Sequence, residues 1–422
     1  MKIKKLIALL AAGMMVLSLA ACGPSENAPG DGKGEETVEP GKKGTIEFWT
    51  VFTGADGKSM QAMVDAYNDT DPDYTVNHRA IEANDLYLKL PLAVQSKQDV
   101  ADVSIVHVER VPLFKENGFL EDYTDKLADS NIKKENYNAK AWEMTDIAGG
   151  HYGIPLDVHS YVLYVNNDLY EKYGNNALED GVLTWDEVKA SGEVAKADNI
   201  IPMGMAWLRV KFLSSYAQLG GTFTKDGTEP EIDVEKATKV FDTWTGLQEA
   251  GYTQKDGDTP WEMFLGGQML YCPEGIWMYN NVKDAGLNAS MYDYPVFDAE
   301  TKGNWTSSHQ FVLPVSDSRD EEKTQAVLDF IDFIGNNSLE WAKAGQVPAN
   351  VAIKESAEFA DMPQAFLIDE NEELKIYDYK YYGYMVESLD KVLAEVLFGR
   401  MDAETAINQA VQETKDRIEM GQ

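Results

Sequence analysis

Thr45-Ile46-Glu47-Phe48-Trp49 decides the fold, because apolar and polar side chains alternate along it as they do along a strand with one buried face. A turn at Gly54 to Gly57 follows it. The next apolar residues recur at the spacing of one helical face; they are Met60, Met63, Val64 and Tyr67. The folded part of the chain therefore begins with a strand and an amphipathic helix.

Further strand and helix signals continue this order. Asp71-Pro72-Asp73 ends the first helix, and Tyr74 to His78 has the composition of a second strand. Asn84 to Gln95 predicts a helix that Pro91 either kinks or causes to start late, and Val103-Ser104-Ile105-Val106 predicts a third strand. The order βαβαβ is typical of a parallel sheet in an α/β lobe.

Beyond residue 155 the pattern becomes mainly helical, which predicts a second lobe. The capping box Thr184-Trp185-Asp186-Glu187 begins one of its helices. Gly399 and Asp402 predict the stop of one C-terminal helix and the N-cap of the next. These two helices carry apolar stripes at Met385, Leu389, Val392, Leu393 and Val396, then at Ala406, Ile407, Ala410, Val411 and Ile418.

The N-terminus has the features of an export signal. Lys2, Lys4 and Lys5 precede an apolar run from Leu6 to Val16, which is too short to span a bilayer. The following Leu19-Ala20-Ala21-Cys22 resembles the bacterial lipobox, which implies cleavage before Cys22 and lipidation of that cysteine; the alternative is a plain signal peptide with an incidental cysteine. We therefore expect a signal peptide at 1–21 and, from its Gly, Pro and Glu content, a flexible tether at 22–44.

Composition excludes several classes of protein. The chain has 37 basic and 71 acidic residues and a net charge of −34, so its surface repels nucleic acid and anionic lipid. Its 44% hydrophobic and 11% aromatic residues favour a packed globule over disorder. If Cys22 is lipidated, Cys272 has no partner within the chain, so the core rather than a disulfide must stabilise the fold.

Several segments, in the same order along nearly the whole chain after Cys22, resemble the family 1 extracellular solute-binding proteins of ABC importers, the carbohydrate group that includes the maltose-binding protein. Gly275-Ile276-Trp277 departs from the more usual Gly-Pro-Trp of that family. The segments that carry the resemblance are Ile46 to Trp49 with Gly54 and Gly57, Ala101 to Val103, Tyr152 to Asp157, Leu163 to Tyr170, Thr184 to Glu187, Gly275 to Met278, and Phe398 to Arg400.

This resemblance implies a two-lobe, Venus-flytrap α/β fold that closes over a solute. It implies lobe one at 45–155 plus 311–350 and lobe two at 156–310 plus 351–422. The implied protein is a monomer, has no enzymatic activity and no cofactor, and delivers a carbohydrate, an oligosaccharide by preference, to the transmembrane subunits of an ABC permease. It would lie on the extracellular face of the cytoplasmic membrane of a Gram-positive bacterium, held there only by its lipid anchor.

A sugar cleft needs aromatic faces for C–H surfaces and polar groups for hydroxyls. In α/β sheets such sites lie beyond the carboxyl ends of the strands. For several candidates a structural role is the alternative: Trp49 as a core residue, Asp85 as a helix N-cap, and His107 as a structural histidine. The candidates in the first lobe are Trp49, Phe52, Asp56, Asp85, His107 and Glu109.

The remaining candidates lie at the expected lobe crossings and in the second lobe. Asp157 and His159 lie at the first crossing, where a carboxylate could accept two sugar hydroxyls. We expect at least one tyrosine of the run 377–384 to face the cleft, and we assign Trp185, Trp244 and Trp341 to the cores. The other candidates are Trp207, Trp277, Trp305, His309, Tyr381 and Tyr382.

Other functions receive less support from the sequence. It contains no Gly-x-Ser-x-Gly elbow, His-Glu-x-x-His motif or glycine-rich phosphate loop. The five histidines lack ligand-like spacing apart from His151 and His159, a weak pair, so the sequence predicts no metal site. The alternatives that stay open are the same importer role for a polyamine, peptide or glycerol phosphate, and a lipid-anchored glycoside hydrolase.

Overall fold

The computed structural model describes residues 41–298, 303–367, 374–375 and 379–420. The predicted signal peptide, Cys22, nearly all of the predicted tether and Tyr377 lie outside the described residues. Within these ranges, no helix is both long enough and apolar enough to cross a membrane.

The strands belong to three sheets. They are β1 (Gly44–Thr50), β2 (Tyr74–Ala80), β3 (Val103–His107), β4 (Asp146–Ile147), β5 (Gly150–His151), β6 (Ile154–Pro155), β7 (Asp157–Asn166), β8 (Ile201–Met203), β9 (Met269–Gly275), β10 (Ala289–Tyr292), β11 (Asn304–Ser307), β12 (His309–Val312), β13 (Val347–Pro348) and β14 (Leu374–Lys375).

Some helices pack against the sheets, and others, such as the last two, pack mainly against other helices. The helices are α1 (Ala55–Asn68), α2 (Ala83–Ser96), α3 (Val111–Glu116), α4 (Ala139–Glu143), α5 (Asn167–Tyr173), α6 (Trp185–Ala195), α7 (Leu208–Gln218), α8 (Val234–Glu249), α9 (Pro260–Leu265), α10 (Tyr279–Ala285), α11 (Glu321–Asn336), α12 (Leu339–Ala342), α13 (Val351–Lys354), α14 (Ala357–Ala360), α15 (Tyr382–Leu397) and α16 (Ala403–Met420). Short 3-10 turns occupy Val108–Arg110, Lys134–Asn136, Lys196–Asp198 and Ile276–Met278.

The first sheet has the strand order β2-β1-β3-β12-β6. Its strands β1, β2 and β3 are parallel, so the predicted βαβαβ order is confirmed. The predicted apolar stripe of α1 is buried at all four positions. Helix α11 covers the same core with its buried Val327, Leu328, Ile331 and Ile334.

Helix α2 corrects two expectations. It begins at Ala83 and continues through Pro91, so the expectation of a late start is wrong. Burial of Leu86 and Leu90 before the proline and of Ala93 after it stabilises the helix despite the lost hydrogen bond. Its N-cap is Glu82, whose carboxylate accepts from the next backbone amides, so Asp85 is not the cap.

The second sheet has the order β14-β11-β7-β9-β8, and β10 and β13 also pair with β7. Strand β7 is buried along its whole length, and therefore forms the centre of this half of the molecule. The predicted capping box of Thr184 and Glu187 is present at α6. Helices α15 and α16 pack as predicted, with Gly399 at φ 69° ending the first and Asp402 accepting from the Thr405 amide at 2.8 Å.

The chain crosses directly between the two sheets. Strand β6 belongs to the first sheet and β7 to the second, and only Leu156 separates them. The return crossing, from β11 to β12, is equally short, with Ser308 between the strands. The side chains at these crossings therefore lie where the two halves of the molecule meet.

Candidate functional site

Two pairs of parallel strands end beside the predicted ligand-binding residues. In the first sheet, Phe52 follows β1 and His107 ends β3. In the second sheet, Trp207 follows β8 and Trp277 follows β9. Because the carboxyl ends of parallel strands lie at one edge of a sheet, each pair marks the edge where α/β proteins bind ligands.

Asp157, the first residue of β7, is a buried carboxylate that fixes the side chains around it. Its Oδ1 accepts from His159 Nδ1 at 2.9 Å, and its Oδ2 accepts from His309 Nδ1 at 2.8 Å. The indole N–H of Trp341 donates to Oδ2 at 2.7 Å, and the backbone amide of His309 donates to Oδ1 at 3.2 Å. The side chain is completely inaccessible to solvent, and its hydrogen bonds connect the first and second crossings.

A third histidine completes this arrangement. His107 pairs with His309 across β3 and β12, so their side chains are direct cross-strand neighbours. The ring centroids are 4.7 Å apart for His107 and His309, and 4.2 Å apart for His159 and His309. The Tyr87 hydroxyl hydrogen-bonds Nδ1 of His107 and also accepts from its backbone amide at 3.3 Å.

Burial controls the protonation of this cluster. It lowers the pKa of His107 well below its usual value, and it also lowers the pKa of His159, so both rings are neutral near pH 7. Burial alone would raise the pKa of Asp157, but the polar N–H groups of His309 and His159, which donate hydrogen bonds to it, hold that pKa well below its usual range. The centre of the site is thus an ionised carboxylate surrounded by imidazole rings.

Aromatic side chains surround His159 on the side of the second sheet. The ring centroids of Trp277 and Trp305 lie 5.7 Å and 5.5 Å from that of His159. Trp305 hydrogen-bonds the buried Tyr382 at the start of α15. Glu109, which follows β3, accepts from the Ser307 hydroxyl at 2.7 Å. Planar rings and hydrogen-bonding groups are therefore combined in one place.

Trp207 is more exposed than these rings. It is 53% exposed, which is unusual for so large an apolar side chain. Its backbone has φ 47° and ψ 51°, the left-handed conformation that residues other than glycine rarely adopt. A strained residue at the start of α7 thus presents an indole ring to solvent, which is a feature of binding sites more often than of ordinary surfaces.

Ion pairs connect residues that follow β3 with helix α15 and with the segment just before that helix. Arg110 donates to Glu387 at 2.5 Å, and Arg417 donates to the other oxygen of the same carboxylate at 2.5 Å. Burial would raise the pKa of Glu387, but these two guanidinium groups outweigh burial and lower it. Lys380 forms a further pair of this kind with Glu116 at 2.7 Å.

The structure brings together most, but not all, of the predicted residues. The rings of Phe52 and His309 pack edge to face with centroids 4.8 Å apart, and Asp56 interacts electrostatically with the same histidine. Trp49 lies within β1 and is buried with residues of α2, so its predicted stacking on a ligand is not supported. Asp85 is exposed in the first turn of α2.

The tyrosine run and the core tryptophans have distinct places. Tyr381 is partly exposed and stacks on Tyr384 with centroids 6.0 Å apart, whereas Tyr382 is buried. The core assignments of Trp185, Trp244 and Trp341 are confirmed, although Trp341 also donates to Asp157.

Several residues of the site were missed by the prediction from sequence. Tyr87, Arg110 and Ser307 take part in the site through hydrogen bonds or ion pairs, yet each is a common residue without a motif. The one usable signal was position, because Arg110 and Tyr87 both follow strand ends. His151, by contrast, stacks on Trp142 and bonds Asp146, so the predicted weak pair with His159 does not form.

Comparison with known proteins gives a consistent result. The family model described as bacterial extracellular solute-binding protein matches residues 53–339. The maltodextrin-binding protein of Bacillus subtilis (strain 168) is 25% identical over 378 residues, which cover 84% of this chain and 83% of the relative. The sn-glycerol-3-phosphate-binding periplasmic protein of Agrobacterium fabrum (strain C58 / ATCC 33970) is 21% identical and covers 74% of this chain and 75% of the relative.

A solved structure extends the comparison to the fold. The ABC substrate-binding protein from Listeria monocytogenes in complex with cycloalternan has a TM-score of 0.76 at 18% identity, covering 90% of this chain and 100% of that chain. The predicted two-lobe α/β fold is confirmed by this likeness.

Proposed function

Because this chain belongs to the bacterial extracellular solute-binding proteins, we propose that it captures an oligosaccharide between its two lobes and delivers it to the transmembrane subunits of an ABC permease. The observation that carries this proposal is that aromatic rings and polar groups lie beside the two crossings and follow the strands at the carboxyl edges of the two sheets. Trp207, Trp277 and Trp305 supply the planar faces, and Glu109 supplies a hydroxyl acceptor.

The relatives favour a sugar without excluding a phosphate ester. The maltodextrin-binding relative supports an oligosaccharide, whereas the sn-glycerol-3-phosphate-binding relative supports one of the alternatives. A phosphate site needs guanidinium groups that are available to the ligand. Arg110 is paired with Glu387, and Arg209 with Asp390 at 3.0 Å, so the two arginines beside the site already have carboxylate partners. Arg319, the third arginine considered from the sequence, is buried against Glu121.

Capture in this proposal is closure of lobe one, at 45–155 plus 311–350, onto lobe two, at 156–310 plus 351–422. The ion pair of Arg110 with Glu387 joins segments assigned to different lobes, so it would stabilise the closed state. Ligand contacts to both lobes would bias the same equilibrium. No chemical conversion is required, so the protein returns the solute unchanged.

The proposed location is the extracellular face of the cytoplasmic membrane. Lipidation of Cys22 after cleavage of 1–21 would attach the chain, and the tether would let a monomer reach the permease. The family is extracellular, which supports export. Metabolic labelling with a fatty-acid analogue tests the anchor, since Cys22→Ser should lose the label.

The function is tested by thermal unfolding of the purified protein with separate ligand classes. Linear and cyclic oligosaccharides should raise the midpoint, because a ligand bound only by the folded state stabilises it. Glycerol 3-phosphate, spermidine and short peptides serve as the alternatives. A shift with one of these and none with any sugar would replace the sugar by that solute, and chemical conversion of the sugar would refute capture without catalysis.

A further inference from the structure

Three histidine rings from three different strands meet beneath the proposed sugar site. His107 belongs to β3, His159 to β7 and His309 to β12. One ring nitrogen from each lies within 4.8 Å of those of the other two. No other group of three or more histidine, cysteine or acidic ligand atoms comes this close within the residues that the structure describes.

Hydrogen bonds already occupy the Nδ1 atom of every ring. Asp157 accepts from Nδ1 of His159 and of His309, at 2.9 Å and 2.8 Å. A carboxylate only accepts hydrogen bonds when ionised, so both rings carry a proton on Nδ1, and Nε2 is the ring atom left to bind a metal ion. The Tyr87 hydroxyl can accept from Nδ1 of His107 in the same way. None of the three Nε2 atoms has a hydrogen-bond partner among the described residues.

We propose that His107, His159 and His309 bind a divalent transition-metal cation, with Zn²⁺ as the best fit, through their Nε2 atoms. Imidazole nitrogen is a preferred ligand of Zn²⁺, and three protein ligands leave the fourth tetrahedral position open. Metal-binding histidines usually donate their other ring N–H to a carboxylate or similar acceptor. Asp157 and Tyr87 occupy that position here, so the supporting hydrogen bonds of a metal site are in place.

The charges around the rings also favour a cation. Asp157 is buried between two of them, Glu109 interacts electrostatically with His159, and Asp56 interacts with His309. The positive charge of Arg110 disfavours a cation beside His107, but this guanidinium is paired with Glu387. The positive charge of Arg110 is therefore partly neutralised, whereas Asp157, Glu109 and Asp56 form no ion pair with lysine or arginine among the described residues.

A bound ion would connect the two halves of the molecule. His107 and His309 lie in the first sheet and His159 in the second, so one ion would join the strands at both crossings. The open position would accept a water molecule or an oxygen atom of the solute. This inference goes beyond sugar capture and does not depend on it, because the ligands are contributed by the protein alone.

Metal binding can be measured directly on the purified exported protein. After treatment with a chelator and buffer exchange, Zn²⁺ is titrated by calorimetry, and Co²⁺ is added separately to follow its visible d–d absorption. We expect one Zn²⁺ per chain and a Co²⁺ spectrum of the intense, four-coordinate type. His107→Gln, the least buried ligand, should lose this binding at least 100-fold, and His309→Gln should do the same.

His78→Gln is the matched control. His78 lies in the same sheet, bonds Thr50 and Gln61, and is outside the cluster. It should leave both the stoichiometry and the Co²⁺ spectrum unchanged. Asp157→Asn should weaken Zn²⁺ binding about 10- to 100-fold by disturbing the orientation of the rings.

Circular dichroism of each variant establishes that it is folded before titration. Absence of stoichiometric binding by the folded wild-type protein would overturn the proposal. Binding that persists in His107→Gln with an unchanged Co²⁺ spectrum would also overturn it, since the ion would then lie on the acidic surface. Either outcome leaves sugar capture untouched, because that is measured separately with the chelator present.

Discussion

Replacement of Trp207 by alanine gives a sharp test of the binding surface. A tryptophan side chain covers at most about 250 Å² when buried, so 53% exposure leaves roughly 130 Å² open. A sugar that covers one ring face removes about half of this area from water, which corresponds to about 1.6 kcal/mol at ~25 cal/mol per Å². We therefore expect Trp207→Ala to raise the Kd for the oligosaccharide about 15-fold.

The same substitution should hardly change stability. Alanine keeps the left-handed backbone strain of Trp207, and the lost ring was half exposed, so the free energy of unfolding should change by less than about 0.5 kcal/mol. Isothermal titration calorimetry gives the Kd, and urea unfolding gives the free energy. Phe366→Ala, at an aromatic residue that is 36% exposed but does not follow a strand end, should bind the sugar normally. An unchanged Kd in Trp207→Ala would refute the assignment of this ring to the sugar.

Three further predictions concern closure, pH and backbone conformation. Glu387→Gln should raise the Kd about 3- to 10-fold in calorimetry, because weakening the ion pair with Arg110 makes the closed state less favourable by about 1 kcal/mol. Burial lowers the pKa of His78 from 6.5 to about 4, so only the unfolded chain gains a proton between these values. The free energy of unfolding should therefore fall by about 1–2 kcal/mol as the pH is lowered through this interval, after allowance for partial exposure, and His78→Gln should remove that fall in urea titrations. Gly345→Ala should lower the urea midpoint by more than Gly257→Ala. Both glycines have φ above 80°, but only at Gly345 would the new Cβ lie 2.3 Å from the Ile276 carbonyl oxygen.

Each of these three predictions has a control variant or a refuting outcome. Lys391→Gln removes an exposed ion pair with Glu413 and should leave the Kd unchanged. If the Kd is also unchanged in Glu387→Gln, the ion pair of Glu387 with Arg110 has no role in closure. Identical pH profiles for the wild-type protein and His78→Gln would assign the loss of stability to other groups. Equal midpoints for the two glycine variants would show that the contact with Ile276 relaxes without cost.

Local periodicity made much of the fold predictable. The stripe of Met60 to Tyr67 and the capping box at Thr184 depend on contacts within one element, so the sequence alone contains the necessary information. The N-cap of α2 was assigned wrongly because Glu82 caps helices less often than aspartate does. Strands of two residues, such as β6 and β13, have no periodicity to detect.

The site was less predictable for a physical reason. Asp157 and His159 could be identified because they lie two apart on one strand and share a face. Their contacts with His107 and His309 arise from pairing between strands that are distant in sequence, which no spacing rule describes. Trp49 was assigned to the site wrongly for another reason: a tryptophan near a strand end can pack against a helix, as Trp49 does, or face a ligand.

The most direct test of the central claim is a crystal structure of the protein with the oligosaccharide that gives the largest thermal shift. We expect the sugar between the carboxyl edges of the two sheets, in contact with Trp207 and Trp277 and with at least one of Glu109 and Ser307. Sugar bound elsewhere, or in contact with only one of the two lobes, would contradict capture by closure.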